Sequence, residues 1–248
     1  MSAAYYVKRM AAGAALVLMV GGVLTLLSPP GRADGDGRNS HDDQGDGHGD
    51  FDKVLIGLRI APVPLDMTRK ERNLVGLGSY LVNTGDCNGC HSAGPQTEFT
   101  EDGNPYLFAP PSQTAHMPKK VNPATYLGGG QDFGPYPAPD SPLHIYSRNL
   151  TPDITGKPAG LSLYEFLVII RTGKDFDHLH PTCPAGTAQT ASCVPYPFDG
   201  DLLQIMPWPI FQDKTREELT AMYAYLSAIP CIDTVVTGQP QLRNNCPK

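Results

Sequence analysis

Cys87-Asn88-Gly89-Cys90-His91 is the stretch from which this chain is best understood. Its C-x-x-C-H pattern is the one through which polypeptides attach a haem covalently. Residues three apart on a helical turn lie on one face, so Cys87 and Cys90 can both reach the vinyl groups of a single porphyrin. His91 follows directly and can present its imidazole to the iron from the same side. The stretch therefore predicts one covalent haem c, attached through two thioethers and ligated by His91.

Two other cysteine chemistries use the same short spacing, namely zinc sites and thioredoxin-like redox centres. A zinc site would require a second close pair, and the remaining cysteines, at 183, 193, 231 and 246, have no such spacing. A thioredoxin-like centre would sit in a βαβ pattern, and no such pattern surrounds Cys87. Haem attachment is therefore the favoured interpretation.

The N-terminal segment indicates export. Lys8 and Arg9 precede an uncharged run of 18 residues over 10–27, and small residues allow cleavage after Ala33. The run is longer than an ordinary signal-peptide core and just long enough to span a membrane. We therefore expect 1–33 to be either a cleaved signal peptide or an uncleaved inner-membrane anchor. In both cases the rest of the chain is periplasmic.

The four cysteines outside the motif agree with an oxidising compartment such as the bacterial periplasm. Four cysteines allow three pairings. We predict Cys183–Cys193 and Cys231–Cys246, because each pair closes a short loop in a segment that is rich in proline and poor in core residues. Four free buried thiols are the alternative.

Composition divides the exported part into two regions. Residues 34–50 consist largely of Asp and Gly, so they cannot bury a core and are expected to be a disordered linker. Residues 51–248 form the predicted haem domain. The chain has 19 Lys and Arg against 25 Asp and Glu, a net charge of −6, with no basic face that would suggest nucleic acid as a partner.

Three segments show the 3.6-residue periodicity of amphipathic helices, at 69–83, 162–172 and 215–228. The second and third begin with capping boxes, and Gly173 and Pro230 follow them as stop signals. The two capping boxes are Ser162 with Glu165 and Thr215 with Glu218.

The remaining segments of the domain look irregular. Residues 51–66 contain two prolines and are expected to form a short turn and an extended arm, and the Gly- and Pro-rich residues 103–142 exclude a long helix. A loop of that length is expected to wrap around something, here the haem. With no clear strand pairs, the sequence predicts an all-α fold, a small helical haem domain with long Gly/Pro-rich loops.

Met206 is the best candidate for the sixth iron ligand. Pro207 and Pro209 stiffen its loop, so that a thioether could be held at one position. Filling the core is the alternative role for Met206, as it is for most methionines. The competing methionines are Met67, Met117 and Met222. His178 and His180 are the serious non-methionine alternatives.

Further residues are candidates for the haem surroundings. Arg148, Asn149 and Arg171 lie in polar turns near helix ends and could donate to the anionic propionates. Surface arginines are an equally good interpretation of Arg148 and Arg171. Trp208 and Phe211 could close the crevice beside Met206.

Several segments together resemble monohaem class I cytochrome c domains, in particular the cytochrome subunits of bacterial periplasmic dehydrogenases. The resemblance covers roughly residues 70–230. It rests on Gly76-Leu77-Gly78-Ser79-Tyr80-Leu81-Val82, Tyr146-Ser147-Arg148-Asn149-Leu150-Thr151-Pro152-Asp153-Ile154-Thr155-Gly156, Arg171-Thr172-Gly173, Met206-Pro207-Trp208 and Tyr223-Ala224-Tyr225-Leu226.

The resemblance implies a cytochrome c-like fold, His91 and Met206 as axial ligands, and electron transfer as the task. Its partners would be a dehydrogenase upstream and a terminal oxidase or another cytochrome downstream. Two other functions stay open. One is a haem enzyme or gas-binding protein with an open sixth site, in which His178 or His180 acts as an acid or base. The other is a haem subunit that mainly docks and anchors a catalytic partner.

Overall fold

Six α-helices and one small hairpin make up the regular structure of the residues that the computed structural model describes, which are 46–94, 96–106, 119–234 and 246. The helices are α1 (Asp46–Ile60), α2 (Arg72–Thr84), α3 (Cys87–His91), α4 (Leu163–Thr172), α5 (Trp208–Phe211) and α6 (Arg216–Leu226). A single 3-10 turn covers Glu101–Gly103, and the antiparallel hairpin pairs β1 (Asp132–Pro135) with β2 (His144–Tyr146).

The predicted N-terminal segment 1–33 and most of the predicted linker 34–50 lie outside the described residues. The chain divides into two units after Asp42, and every described residue belongs to the second unit. In the part of the chain that the structure describes, no helix is both long enough and apolar enough to cross a membrane.

Helix α1 corrects the sequence prediction for its segment. Residues 46–50 were expected in the disordered linker and 51–66 in a turn and an extended arm, whereas α1 covers the first and most of the second. The prolines act only after the helix has ended, at Pro62. The apolar pattern of α1 is weak, because apolar residues lie on its exposed face as well as its buried one: Val54 is buried, whereas Phe51 is 56% and Leu55 47% exposed.

The three predicted amphipathic helices are confirmed as α2, α4 and α6. Both capping boxes form: the Ser162 and Thr215 hydroxyls accept from the amides of Glu165 and Glu218, whose carboxylates accept in return. Helix α4 ends at Gly173, which adopts a left-handed conformation with φ of 72°. Local signals in the sequence therefore place these helices correctly.

Close helix packing places α2 at the centre of the main core, against both α1 and α6. Glycines make this possible: a Cβ on Gly57 would lie 1.9 Å from the carbonyl oxygen of Gly76, and one on Gly78 would lie 1.9 Å from that of Ala221. Main-chain atoms of neighbouring helices thus touch directly. The fully buried side chains of this core include Val75, Val82, Leu219, Tyr126 and Tyr225.

A smaller core lies under the hairpin and the loop that follows α4. It consists of Leu143, Ile145 and Val194, with Tyr136 packed against it. The predicted disulfides Cys183–Cys193 and Cys231–Cys246 are both present. The hairpin is a departure from the expected all-α fold. It could not be predicted, because strands of four and three residues are too short to show an alternating pattern in the sequence.

Candidate haem site

A large cavity opens beside the motif helix α3. With its mouth included it encloses about 1350 Å³, and its walls come from α3, the hairpin, α4, the end of α6 and the segment before α5. Cys90 and His91 line it, as do Arg148, Asp175 and Met206. Most of the remaining wall is apolar and includes Phe133, Ile145, Leu161, Phe166, Ile170 and Leu203. A wide apolar cavity with few polar groups is typical of a cofactor site.

The segment 127–131 holds α3 in place through four contacts. The Leu127 amide donates to Oδ1 of the buried Asn88 at 2.9 Å, and the Gly129 amide donates to the His91 carbonyl at 2.8 Å. The side-chain amide of Gln131 lies 3.0 and 3.1 Å from the carbonyls of Gly89 and Cys90, which accept from its Nε2 when the amide is oriented to satisfy them. The end of α3 is therefore fixed by hydrogen bonds.

Gly129 is required by its position between α3 and Arg148. Its φ is 70°, in the left-handed region that glycine adopts most easily. A Cβ there would also lie 2.4 and 2.5 Å from the carbonyl carbon and oxygen of Arg148. Only a residue without a side chain lets the loop approach Arg148 this closely.

His91 is oriented by a main-chain hydrogen bond. Its Nδ1 lies 2.6 Å from the carbonyl oxygen of Arg148, which can only accept, so Nδ1 carries the proton and donates. Nε2 is then left with a free lone pair, which is the arrangement of most metal-binding histidines. Burial lowers the pKa of His91 and so favours the neutral imidazole that binds metal. This geometry fits an iron ligand.

The two motif cysteines do not form a disulfide with each other. Burial raises the pKa of Cys87 to about 12, and burial also raises the pKa of Cys90. A redox-active C-x-x-C centre needs a lowered thiol pKa, so the raised values disagree with thioredoxin-like chemistry. Among the described residues, no three or more His, Cys, Asp or Glu side chains form a cluster that could hold zinc.

Met206 lines the cavity and is held between two three-residue turns. Its amide donates to the Gln204 carbonyl at 2.7 Å, and its carbonyl accepts from the Trp208 amide at 2.8 Å. The turn before it requires a φ of 69° at Ile205, an uncommon value for a β-branched residue. Strain of this kind clusters at functional sites. The loop is therefore suited to hold one thioether in a defined position.

The competing methionines are in less suitable positions. Met222 is 5% exposed inside the main core. Met67 packs against the same core, as Met206 does, but Met67 does not reach the cavity. Met117 lies outside the described residues. Of the described methionines, only Met206 lines the cavity.

The two alternative histidines differ in position. His178 is exposed, with its Nδ1 3.3 Å from a carboxylate oxygen of Asp201, and it is not part of the cavity wall. His180 does line the cavity, and its buried Nδ1 has no hydrogen-bond partner among the described residues. Burial lowers the pKa of His180. Of these two histidines, His180 is therefore the one that could approach a bound cofactor.

Two of the predicted propionate donors lie at the cavity, but both have other partners. The Arg148 guanidinium pairs with Asp175 and Asp177. The Asn149 side chain is 3% exposed and joins two segments, since its Nδ2 donates to the Ile232 carbonyl at 2.7 Å and its Oδ1 accepts from the Thr151 amide at 2.9 Å. Asn149 is thus a structural cross-link in this structure.

Arg171 and Trp208 do not line the cavity. The Arg171 guanidinium donates to the carbonyls of Gln212 and Lys214 at 3.3 and 3.1 Å. The Trp208 indole packs over Gly173, where a Cβ would lie 2.3 Å from the ring. Both side chains therefore join α4 to the α5 region, and Phe211, the other predicted crevice residue, is also absent from the cavity wall.

Four parts of the site are not evident from the sequence: Gly129, Gln131, Asp175 and the Arg148 carbonyl. One signal was visible, the run Gly128-Gly129-Gly130, since consecutive glycines often mark a close backbone approach. The others act through the main chain or through partners that are distant in sequence.

Comparison with known proteins gives a distant relationship. The chain is 25% identical over 174 residues to the cytochrome c subunits of alcohol dehydrogenase (quinone) from Gluconacetobacter polyoxogenes and Komagataeibacter europaeus. The match covers 69% of this chain and 24% of each relative, so the chain spans about a quarter of the length of these relatives. No family model matches the chain, and no solved structure matches it.

Proposed function

We propose that this chain is a periplasmic cytochrome c, with a cytochrome c-like fold, that carries single electrons through one covalently bound haem. The observation that carries the proposal is the His91 imidazole. It lies on the C-x-x-C-H helix, faces a large apolar cavity, and has its Nδ1 proton donated to the Arg148 carbonyl. This arrangement leaves Nε2 available to a metal.

The residues of the chain would divide the work of holding the group. Cys87 and Cys90 would form the thioethers, while His91 and Met206 would supply the axial ligands. When bound, the haem would supply one-electron chemistry at its iron, and His/Met ligation favours a raised reduction potential. The apolar wall would keep water from the bound group, and the hydrogen-bonded loops around His91 and Met206 would limit rearrangement between oxidation states.

The distant relatives, which are named as cytochrome c subunits of alcohol dehydrogenase (quinone), support a redox protein as the partner. By extension, we propose a dehydrogenase as electron donor and a terminal oxidase or another cytochrome as acceptor. The chain itself would be a carrier and not the catalyst. Residues 10–27 would either be removed with the signal peptide or tether the domain to the inner membrane.

A haem stoichiometry experiment tests this function. The full chain is exported in a host that attaches c-type haem, and the denatured protein is weighed by mass spectrometry. One haem per chain is expected. The Cys87→Ala and Cys90→Ala variants are each expected to keep one thioether, which shifts the absorption of the reduced pyridine complex. Cys231→Ala/Cys246→Ala serves as control and keeps both thioethers. No haem, or two per chain, contradicts the proposal.

A second candidate function rests on His180. Its buried Nδ1 lies at the cavity and has no hydrogen-bond partner among the described residues. The imidazole could serve as an acid, base or ligand in a haem protein with an open sixth site. Rapid binding of carbon monoxide by the reduced native protein would favour this function. Loss of that binding, or a changed rate, in His180→Ala would then assign the residue.

A further inference from the structure

We infer that Asp175 is a positioning residue for the proposed haem: through Arg148 it holds the carbonyl that orients His91, and so lowers the reduction potential. The inference rests on the proposed function. The Asp175 carboxylate would thus affect the iron site although it touches neither the motif cysteines nor the proposed iron ligands.

The first support is the double attachment of Arg148. Its carbonyl oxygen accepts from His91 Nδ1 at 2.6 Å, while its Nη2 lies 2.8 Å from both carboxylate oxygens of Asp175. The Asp175 side chain is 7% exposed, and charge-assisted hydrogen bonds at such a position are strong. Asp177 also pairs with Arg148, but its side chain is 52% exposed, and exposed pairs contribute little. Asp175 is therefore the main anchor.

The second support is the attachment of Asp175 to the Met206 segment. The Asp175 amide donates to the Asp201 carbonyl at 2.7 Å, and the Leu203 amide donates to the Gly173 carbonyl at 2.7 Å. Met206 follows three residues after Leu203. A continuous set of hydrogen bonds thus joins the two segments that carry the proposed axial ligands, with the Asp175–Arg148 pair in the middle.

The direction of the effect follows from charge. A buried carboxylate near the cavity favours the oxidised, more positive iron, and a strong hydrogen bond from His91 Nδ1 raises the basicity of the ligand in the same direction. Replacing Asp175 by asparagine removes the negative charge, loosens Arg148 and weakens the hold on the carbonyl. The lost negative charge and the weaker hydrogen bond from His91 both favour the reduced state, so the potential is expected to rise.

The experiment uses the full haem-loaded chain with Asp175→Asn. We expect about a tenfold change in the electron-transfer equilibrium constant toward the reduced state, which is about 59 mV for a one-electron couple. The His91 ring N–H proton, observed by NMR in the reduced protein, is expected to shift as its hydrogen bond weakens. Asp175→Glu keeps the carboxylate and is expected to restore most of the potential.

Two controls separate positioning from simple charge removal. Asp140→Asn removes the same charge from an exposed loop between β1 and β2, and it is expected to leave the His91 signal unchanged with a much smaller shift in potential. Asp177→Asn removes the exposed partner of Arg148 and is expected to fall between the two. Haem content and circular dichroism establish that each variant is folded.

Three results would overturn the inference. The first is a potential shift in Asp175→Asn no larger than that of Asp140→Asn. The second is a raised potential with an unchanged His91 N–H signal, because the carboxylate would then act through charge alone. If Asp175→Asn does not retain haem, Arg148→Lys decides, since it keeps the carbonyl and the charge but loses the planar fork. The third result is an Arg148→Lys variant with the same potential and the same His91 N–H signal as the native protein. A native chain without haem would instead refute the proposed function.

Discussion

The two ring nitrogens of His91 have different roles: Nδ1 donates a hydrogen bond to the Arg148 carbonyl, and Nε2 keeps a lone pair that can bind a metal. Nδ1 lies 2.6 Å from the Arg148 carbonyl oxygen, and a main-chain acceptor cannot rotate away as a side chain can. The ring plane is therefore set by the backbone at Arg148, and the backbone at Arg148 is set by its neighbours. At the scale of single residues, one of these neighbours is Gly129.

Gly129→Ala is expected to destabilise the protein by about 1–3 kcal/mol, because the new Cβ meets the Arg148 carbonyl and the residue must hold a left-handed φ. The same collision should displace the acceptor of His91 and shift its ring N–H signal. Gly134→Ala is the matched control: its φ is 79°, but nothing lies within 4 Å of the added carbon. Urea unfolding and NMR measure the two effects. Equal losses in both variants would show that only the conformation matters.

Met206→Ala is expected to abolish the weak sulfur-to-iron charge-transfer band at the red edge of the visible spectrum of the oxidised protein. Loss of the soft, neutral thioether should also lower the potential and open the iron to carbon monoxide. Met67→Ala, in the partly buried wall of the main core, is the control and should keep the band. A band that survives in Met206→Ala would mean that another methionine ligates, and Met117 would be changed next.

At the scale of elements, α4 carries several residues of the cavity wall, and its first turn is fixed by the capping box. The Ser162 hydroxyl and amide both donate to the Glu165 carboxylate at 2.7 and 2.8 Å. These bonds, the side-chain bond first, hold the pKa of Glu165 below its ordinary value. The charged carboxylate therefore stabilises the folded helix more than the protonated acid does.

Ser162→Ala is expected to lower the free energy of unfolding by about 1 kcal/mol, the usual cost of losing an N-cap.

The effect of Glu165→Gln on the free energy of unfolding should depend on pH. Because the folded pKa is lowered, the stabilisation by Glu165 is complete above its ordinary pKa, which is about 4.3, and is lost as the pH falls through the folded value. The stability difference from the native chain should therefore shrink in acid. Glu217→Gln, in the first turn of α6, is the control; a difference independent of pH would contradict the argument.

Elements could be predicted where their signals are local. Helices α4 and α6 combine an apolar stripe with a capping box, and both signals lie within a dozen residues. Helix α1 could not be predicted, because its packing depends on close contact between Gly57 and α2, which no periodicity reveals. The hairpin was missed for a related reason: its strands are stabilised by the small core around Val194, about 50 residues away in sequence.

At the scale of the whole molecule, the site joins segments far apart in the chain. The motif indicated Cys87 and His91, and the rigid loop indicated Met206. The partner of His91 is 57 residues away, and Asp175 is a further 27 residues from Arg148. Such pairs follow from tertiary packing alone. The same fact explains why Arg171, which looked suitable beside a helix end, instead joins that helix to the α5 region.

The cavity also lies where the two cores meet. Phe166, Ile170 and Leu226 belong to the main core and Ile145 to the smaller one, and all four line the cavity. A group bound there would cover apolar surface on both sides at once. The disulfide Cys183–Cys193 lies beside the smaller core, which is too small to be stable by itself. We therefore expect the haem to join the two cores.

Removal of the haem is the test of that expectation. The Cys87→Ala/Cys90→Ala variant, purified free of haem, should leave the cavity wall uncovered. Uncovered apolar surface costs about 25 cal/mol per Å², and each kcal/mol lost lowers the Tm of a chain of this size by about 2–4 °C, so the haem-free chain is expected to unfold at a lower temperature. The haem-free chain should bind a hydrophobic dye and lose near-UV circular dichroism from the smaller core, while α2 and α6 keep their far-UV signal. The Cys90→Ala variant, which is expected to keep its haem through one thioether, controls for the loss of a motif cysteine. A haem-free chain with the Tm and near-UV spectrum of the loaded protein would show that the two cores pack without the haem.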